Sequence, residues 1–182
     1  TTGIGCCRAC VSVQDPGADR VPHDPRRETP FRTVTARCRA RRAARGAVRA
    51  LRSAGVSSVA VCFLYGFAHP GHEQAVLRIL AEEFPEAFAS ASHAVAPEFR
   101  EYERLSTTVV NAYLGPVMQG YIARLGQRLA TLGVRATPHL TQSNGGVVGF
   151  DQAQRLPVRT VLSGPSTGVV AAQLVGQLAG HP

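Results

Sequence analysis

The amino-acid sequence predicts an α/β protein. Helical and strand-like stretches alternate from about residue 43 onward. The run "SSVAVCFLY", Ser57 to Tyr65, has the unbroken β-prone character of a strand buried on both faces, as in a parallel sheet. Two further strand-like stretches end in glycine turns, "QSNGG" and "SGPSTG", and α/β sheets place ligands beyond such strand ends.

Residues 1 to about 40 hold no sustained period, and proline and arginine recur through "QDPGADRVPHDPRRETPFR", so an irregular arm is expected over residues 1–45. "AARGAVRALRSAG" sets Ala44, Val48 and Leu51 on one helical face and stops at Gly55. After the Ser57 to Tyr65 strand, "HPGHEQAVLRILAEEF" restarts a helix with Val76, Leu77, Leu80 and Phe84 along its apolar side. A short strand is expected in "AFASASHAV". In "PEFREYERLSTTVVNAYLGPVMQGYIARLGQRLATLG", Val110, Tyr113, Leu114, Val117, Tyr121, Leu125, Leu129 and Leu132 form a stripe at helical spacing. Pro116 interrupts it, which predicts a bend or two helices meeting near Gly115. "ATPHLTQSNGG" reads as a strand ending in the turn 142–146, a short helix follows near "DQAQRL", and "VRTVL" reads as a last strand. The final helix has Pro165 at its first position with Ser163 or Gly164 as the cap.

Composition excludes several functions. The longest apolar run, "VAVCFLYGFA", falls far short of the roughly 20 residues that a membrane helix needs. No basic start leads into an apolar core, and the five cysteines read as reduced thiols, so a cytoplasmic setting is expected. Cys6, Cys7 and Cys10 have no second cluster to complete a metal set, and Cys62 reads as a core residue; no metal site is expected. All the basic residues are arginine. Residues 1–52 hold twelve of them against four acids, so the whole net charge of +8 sits there. "RCRARRAARGAVRALR" suits polyanions by charge, but it lacks interleaved aromatics and any nucleic-acid motif, so nucleic acid is a disfavoured partner.

Two groups of residues carry candidate chemistry. Ser143, Asn144, Gly145 and Gly146, together with Ser163, Gly164, Pro165 and Gly168, are candidate walls of one substrate or nucleotide cleft, with amides at a helix start suited to an anion. "EFREYER" gathers Glu98, Arg100, Glu101, Tyr102 and Arg104 into a polar network fit for acid/base work or ion pairing. His69 and His72 in "HPGHE" read as a helix entrance rather than a metal pair. Ser106, Thr107 and Thr108 have no evident base, and no catalytic residue is assigned.

Four stretches in order, "VRALRSAGVSSVAVCFLY", "PEFREYERLSTTVVNAYLGPVM", "QSNGG" and "RTVLSGPSTGVVAA", resemble the hydantoinase/oxoprolinase family, in particular its hydantoinase A type subunit, from about residue 47 to 180. The resemblance implies a partial actin-like ATPase (ribonuclease H-like) fold, truncated before its second phosphate-binding turn. Residues 46–104 would end the family's N-terminal region and 105–182 would begin the hydantoinase A domain. It implies ATP-dependent opening of a cyclic amide such as a hydantoin or 5-oxoproline, with ATP and Mg as cofactors of the full-length protein and a hydantoinase B type subunit or domain as partner. The last helix resembles the Ala- and Gly-rich connector between lobes, with Gly168, Ala171 and Ala172 admitting a neighbour.

The family's two D-x-G-G-T phosphate turns are missing from these 182 residues, so a fragment that is inactive alone and binds no nucleotide tightly is expected. The abrupt join with residues 1–45 reads as a misread frame or a truncated gene. A cut sheet predicts partner capture, homo-oligomers or aggregation. The competing class is a non-catalytic interaction module with a basic nucleic-acid-binding arm.

Overall fold

The computed structural model of the protein describes residues 9–14, 31–36 and 41–181. The cysteine cluster and Cys38 lie outside the described side chains. The chain divides into two compact units, Thr1–Pro116 and Val117–Pro182.

The first unit is built on a four-stranded mixed sheet of order β2-β1-β3-β4. Strands β1 (Ala9–Gln14) and β2 (Phe31–Ala36) pair antiparallel, with Val11 opposite Val34. Both fall inside the segment expected to be irregular: β1 borrows its order from β3 (Ser58–Phe63), with Val11 opposite Val61, and a pairing so distant leaves no local period to read. All six residues of β3 are buried. Helix α2 (Gly71–Glu83) then crosses to β4 (Phe88–Ala91), which runs parallel to β3 as the helix–strand rhythm predicts.

One core gathers Ala44, Val48 and Leu51 of α1 (Arg41–Ser53), Val59, Val61 and Phe63 of β3, and Val76, Ile79, Leu80 and Phe84 from the α2 segment. These include the predicted faces of both helices. Outside this core, Arg45 pairs with Glu82 and Glu83, Arg49 with Glu83, and Arg52 with Glu86. Arg49 first, then Arg45, hold the Glu83 carboxyl down to about 2.

After the single turn α3 (Ser92–Val95) comes α4 (Glu101–Thr131), one unbroken helix through Pro116. The alternative of two helices meeting near Gly115 is not what forms: the 31-residue ladder carries on past the amide that the proline lacks. Its stripe is only partly covered. Arg104, Thr108, Asn111 and Ala112 are buried and Leu114, Leu125 and Leu129 are half-buried, whereas Val110, Tyr113, Val117, Tyr121 and Leu132 are exposed. Hydrogen bonding decides this: Asn111 donates to Ser90 Oγ on β4 at 2.8 Å, and Thr108 to the Arg104 carbonyl at 2.6 Å. Gly115 admits the Phe88 ring into the space where any Cβ would stand.

The second unit holds a hairpin of β5 (His139–Thr141) and β6 (Val147–Gly149), whose second strand is too short for a sequence period to show. A small core of Ile122, Val148 and Ala153 is flanked by Met118, Leu140 and Phe150. Helix α5 (Phe150–Arg155) lies where "DQAQRL" predicts it. "VRTVL" is not a strand: Pro157 opens a 3-10 turn over Pro157–Thr160, and its carbonyls turn toward Ser143. Helix α6 (Ser163–Leu178) begins after Leu162, which takes the left-handed φ of 61° and offers no side-chain cap, so Pro165 is its third residue and Ser163 its first. It buries no residue, and Val169, Leu174, Val175 and Leu178 are exposed.

Candidate functional site

The carboxyl ends of β3 and β4 carry the most concentrated polar chemistry in the first unit. Glu73 stands three residues before Val76 on the buried side of α2 and is fully enclosed. Its Oε1 accepts the Phe63 amide at 2.9 Å and the Ser92 hydroxyl at 2.6 Å. Its Oε2 accepts the His93 amide at 2.8 Å and faces His93 Nδ1 at 2.7 Å. Arg104, also buried, donates from Nε to Ser92 Oγ at 3.0 Å, from Nη1 to the Glu98 carbonyl at 3.0 Å, and from Nη2 to the Phe63 carbonyl at 2.7 Å. Its guanidinium also lies over the Phe67 ring, 5.4 Å from the centroid.

Ser92 thus bridges a buried cation and a buried anion, and the last residue of β3 has both backbone groups closed by side chains. A buried charge needs this degree of satisfaction, since an unpaired one costs several kcal/mol.

The "EFREYER" residues part company here. Arg104 is the hub, and Glu101 Oε1 lies 3.6 Å from it while accepting the Tyr65 amide at 3.3 Å. That amide foremost, with Arg104 adding to it, lowers the Glu101 carboxyl below its ordinary range. Glu98 contributes its carbonyl, Arg100 pairs with Glu103 at 3.5 Å and lies over the Phe99 ring, and Tyr102 points to solvent. Tyr65 and Arg100 hold left-handed φ values of 57° and 77°, a strain that non-glycine residues keep only where their surroundings enforce it. Sequence reasoning missed Glu73, Ser92 and His93. The available signal was a carboxylate in step with the apolar stripe of α2.

In the second unit the structure joins the two predicted turns. Ser143 donates its amide to the Arg159 carbonyl at 2.7 Å and its hydroxyl to the Arg159 and Val161 carbonyls. Ser166 donates back to the Ser143 carbonyl at 2.5 Å. Asn144 Oδ1 accepts the Gly146 amide at 3.0 Å, and Gly145 takes a φ of 82° that suits glycine. The Ser143 hydroxyl is therefore spent on structure, and the amides of Ser163 and Gly164 are the groups left at the α6 entrance. A Cβ at Gly168 would meet nothing within 4 Å among the described residues. Among those residues no three His, Cys, Asp or Glu side chains converge as a metal set, and no helix is long and apolar enough to cross a membrane.

Comparison with known proteins gives this geometry a context. The chain is 37% identical over 131 residues to caprolactamase subunit alpha of Pseudomonas jessenii, covering 72% of this chain and 19% of that one. It is 32% identical over 128 residues to 5-oxoprolinase of Saccharomyces cerevisiae, covering 69% and 10%. The crystal structure of ATP-dependent caprolactamase from Pseudomonas jessenii superposes with a TM-score of 0.62 at 31% identity, over 86% of this chain and 22% of that one. Nucleotide-free acetone carboxylase shares the fold, with a TM-score of 0.68 at 22% identity, over 83% and 21%.

The chain thus spans about a fifth or less of the length of these proteins. The model of the Hydantoinase/oxoprolinase N-terminal region matches residues 26–84, so the likeness reaches back into the segment set apart from the family on sequence grounds. The Hydantoinase/oxoprolinase model matches residues 104–182. With both models matched in order along an α/β chain, the protein belongs to the hydantoinase/oxoprolinase family.

Proposed function

We propose that this chain is part of a hydantoinase A type subunit with an actin-like ATPase fold. Completed by the rest of such a subunit and a hydantoinase B type partner, it opens a cyclic amide in a reaction coupled to ATP hydrolysis in the cytoplasm. The observation that carries the reading is the likeness to ATP-dependent caprolactamase, in sequence and in fold together. Hydantoin, 5-oxoproline and caprolactam are the substrates of the proposed class.

The residues in hand do not by themselves fit a triphosphate with Mg. The D-x-G-G-T turns are missing from the sequence, Ser143 is committed to carbonyls, and the first turn of α6 carries no acidic residue. Toward the triphosphate the chain's part is accordingly structural: α6, free of charged side chains, serves as the connector on which a second lobe closes.

The test is ATP hydrolysis with hydantoin, 5-oxoproline or ε-caprolactam added. The 182-residue chain is expected to show none, and the product of the longer reading frame, assembled with its B type partner, a lactam-stimulated rate. An unstimulated assembly defeats the reading, and turnover by the isolated chain defeats the claim of inactivity. DNA flanking the reading frame is expected to encode the two D-x-G-G-T turns.

A further inference from the structure

The Glu73 carboxylate does more than close β3. One oxygen suffices for the Phe63 amide and Ser92; the other holds both the backbone and the ring of His93. A carboxylate only accepts hydrogen bonds, so the ring meets it as an Nδ1–H donor, and in that tautomer the lone pair sits on Nε2. The His93 side chain is 18% exposed, its Nε2 has no partner among the described residues, and no buried side-chain nitrogen or oxygen there lacks one. Nε2 therefore lies where a ligand reaches it. A fully buried carboxylate fixing the tautomer of a surface-reaching imidazole is the arrangement by which proteins aim a proton acceptor. Its place at the carboxyl ends of two parallel strands is where α/β sheets receive small molecules.

We propose that His93 is a ligand-binding residue whose Nε2 accepts the ring N–H of a cyclic amide, with Glu73 as the positioning residue that fixes its tautomer. The ligand class rests on the function proposed above; the site rests on the geometry.

The experiment is imidazole ¹⁵N NMR of the whole 182-residue chain, titrated with ε-caprolactam and with N-methylcaprolactam, which lacks the donor. The expected result is an Nδ1–H tautomer for His93 and a saturable shift of Nε2 with ε-caprolactam. Binding of the N-methyl compound is expected to be roughly three- to tenfold weaker, the worth of one hydrogen bond. Glu73→Gln is expected to change the tautomer. Because that variant risks unfolding, His93→Gln is the second, and it is expected to weaken ε-caprolactam binding by the same factor. An Nε2–H tautomer in the unsubstituted chain, no saturable shift, equal shifts with both lactams, or undiminished binding by His93→Gln overturns the proposal. Lactam-stimulated ATP hydrolysis by the longer assembly with a silent His93 would sink this site alone. A responsive His93 in an assembly without such hydrolysis would sink the functional reading and leave the site standing.

Discussion

The first half of α4 and the whole of α6 make opposite use of their side chains. The segment from Arg104 to Asn111 buries a guanidinium, a hydroxyl and a carboxamide, while α6 leaves five large apolar side chains in the open. Composition predicts the reverse for both. Burial in the first unit follows the supply of hydrogen-bond partners: Phe63, Ser90, Ser92 and Glu98 offer acceptors at the depth where Arg104 and Asn111 arrive. Among the described residues Ser166 meets Ser143 and Val170 approaches Gly145, but no residue of α6 is buried.

The sharpest way to break this comparison is at Arg104. Arg104→Met removes the donors to Ser92 Oγ and to two carbonyls, leaving those acceptors unmatched, and should cost about 3–5 kcal/mol in urea unfolding. Arg104→Lys should recover little, because an ammonium cannot reproduce the fork. A loss under about 1 kcal/mol would show that the network is incidental. Next comes Gly115→Ala, which drives a methyl group into the Phe88 ring and should cost about 1–3 kcal/mol, relieved by a companion Phe88→Leu.

A smaller effect is expected on acidification. The folded-state value of Glu83 is depressed to about 2, so its contribution is present above the ordinary carboxylate range and is lost as pH falls from about 4.5 toward 2. The thermal midpoint should therefore drop across that window in the unsubstituted chain and drop less in Glu83→Gln, read by circular dichroism. Smallest of all, Leu174→Gln and Leu178→Gln on α6 should each change stability by no more than about 0.5 kcal/mol, with self-association by light scattering reduced. A larger loss of stability in the monomer would mean that α6 is covered.

The same contrast marks what the sequence makes legible. The α1 and α2 faces and β3 were readable because apolar residues recur at short, regular steps and a single core takes them in. Glu101 and Arg104 stood out as charges in a cluster. Glu73 was in plain register with Val76 and Leu80, yet its meaning depends on Ser92, His93 and Arg104, between 19 and 31 positions away, and no local pattern encodes such a meeting. The "VRTVL" segment failed for a related reason: the partner that bends it is Ser143, in another turn.

The guanidinium rail of α1 has a last consequence. Arg45, Arg49 and Arg52 already face the carboxylates of Glu82, Glu83 and Glu86, so three of the five arginines on the most basic helix of a +8 chain are matched where they stand. A polyanion arriving there meets an ion exchanger in its loaded form: it must evict the bound acids, while the apolar core beneath keeps α2 on α1.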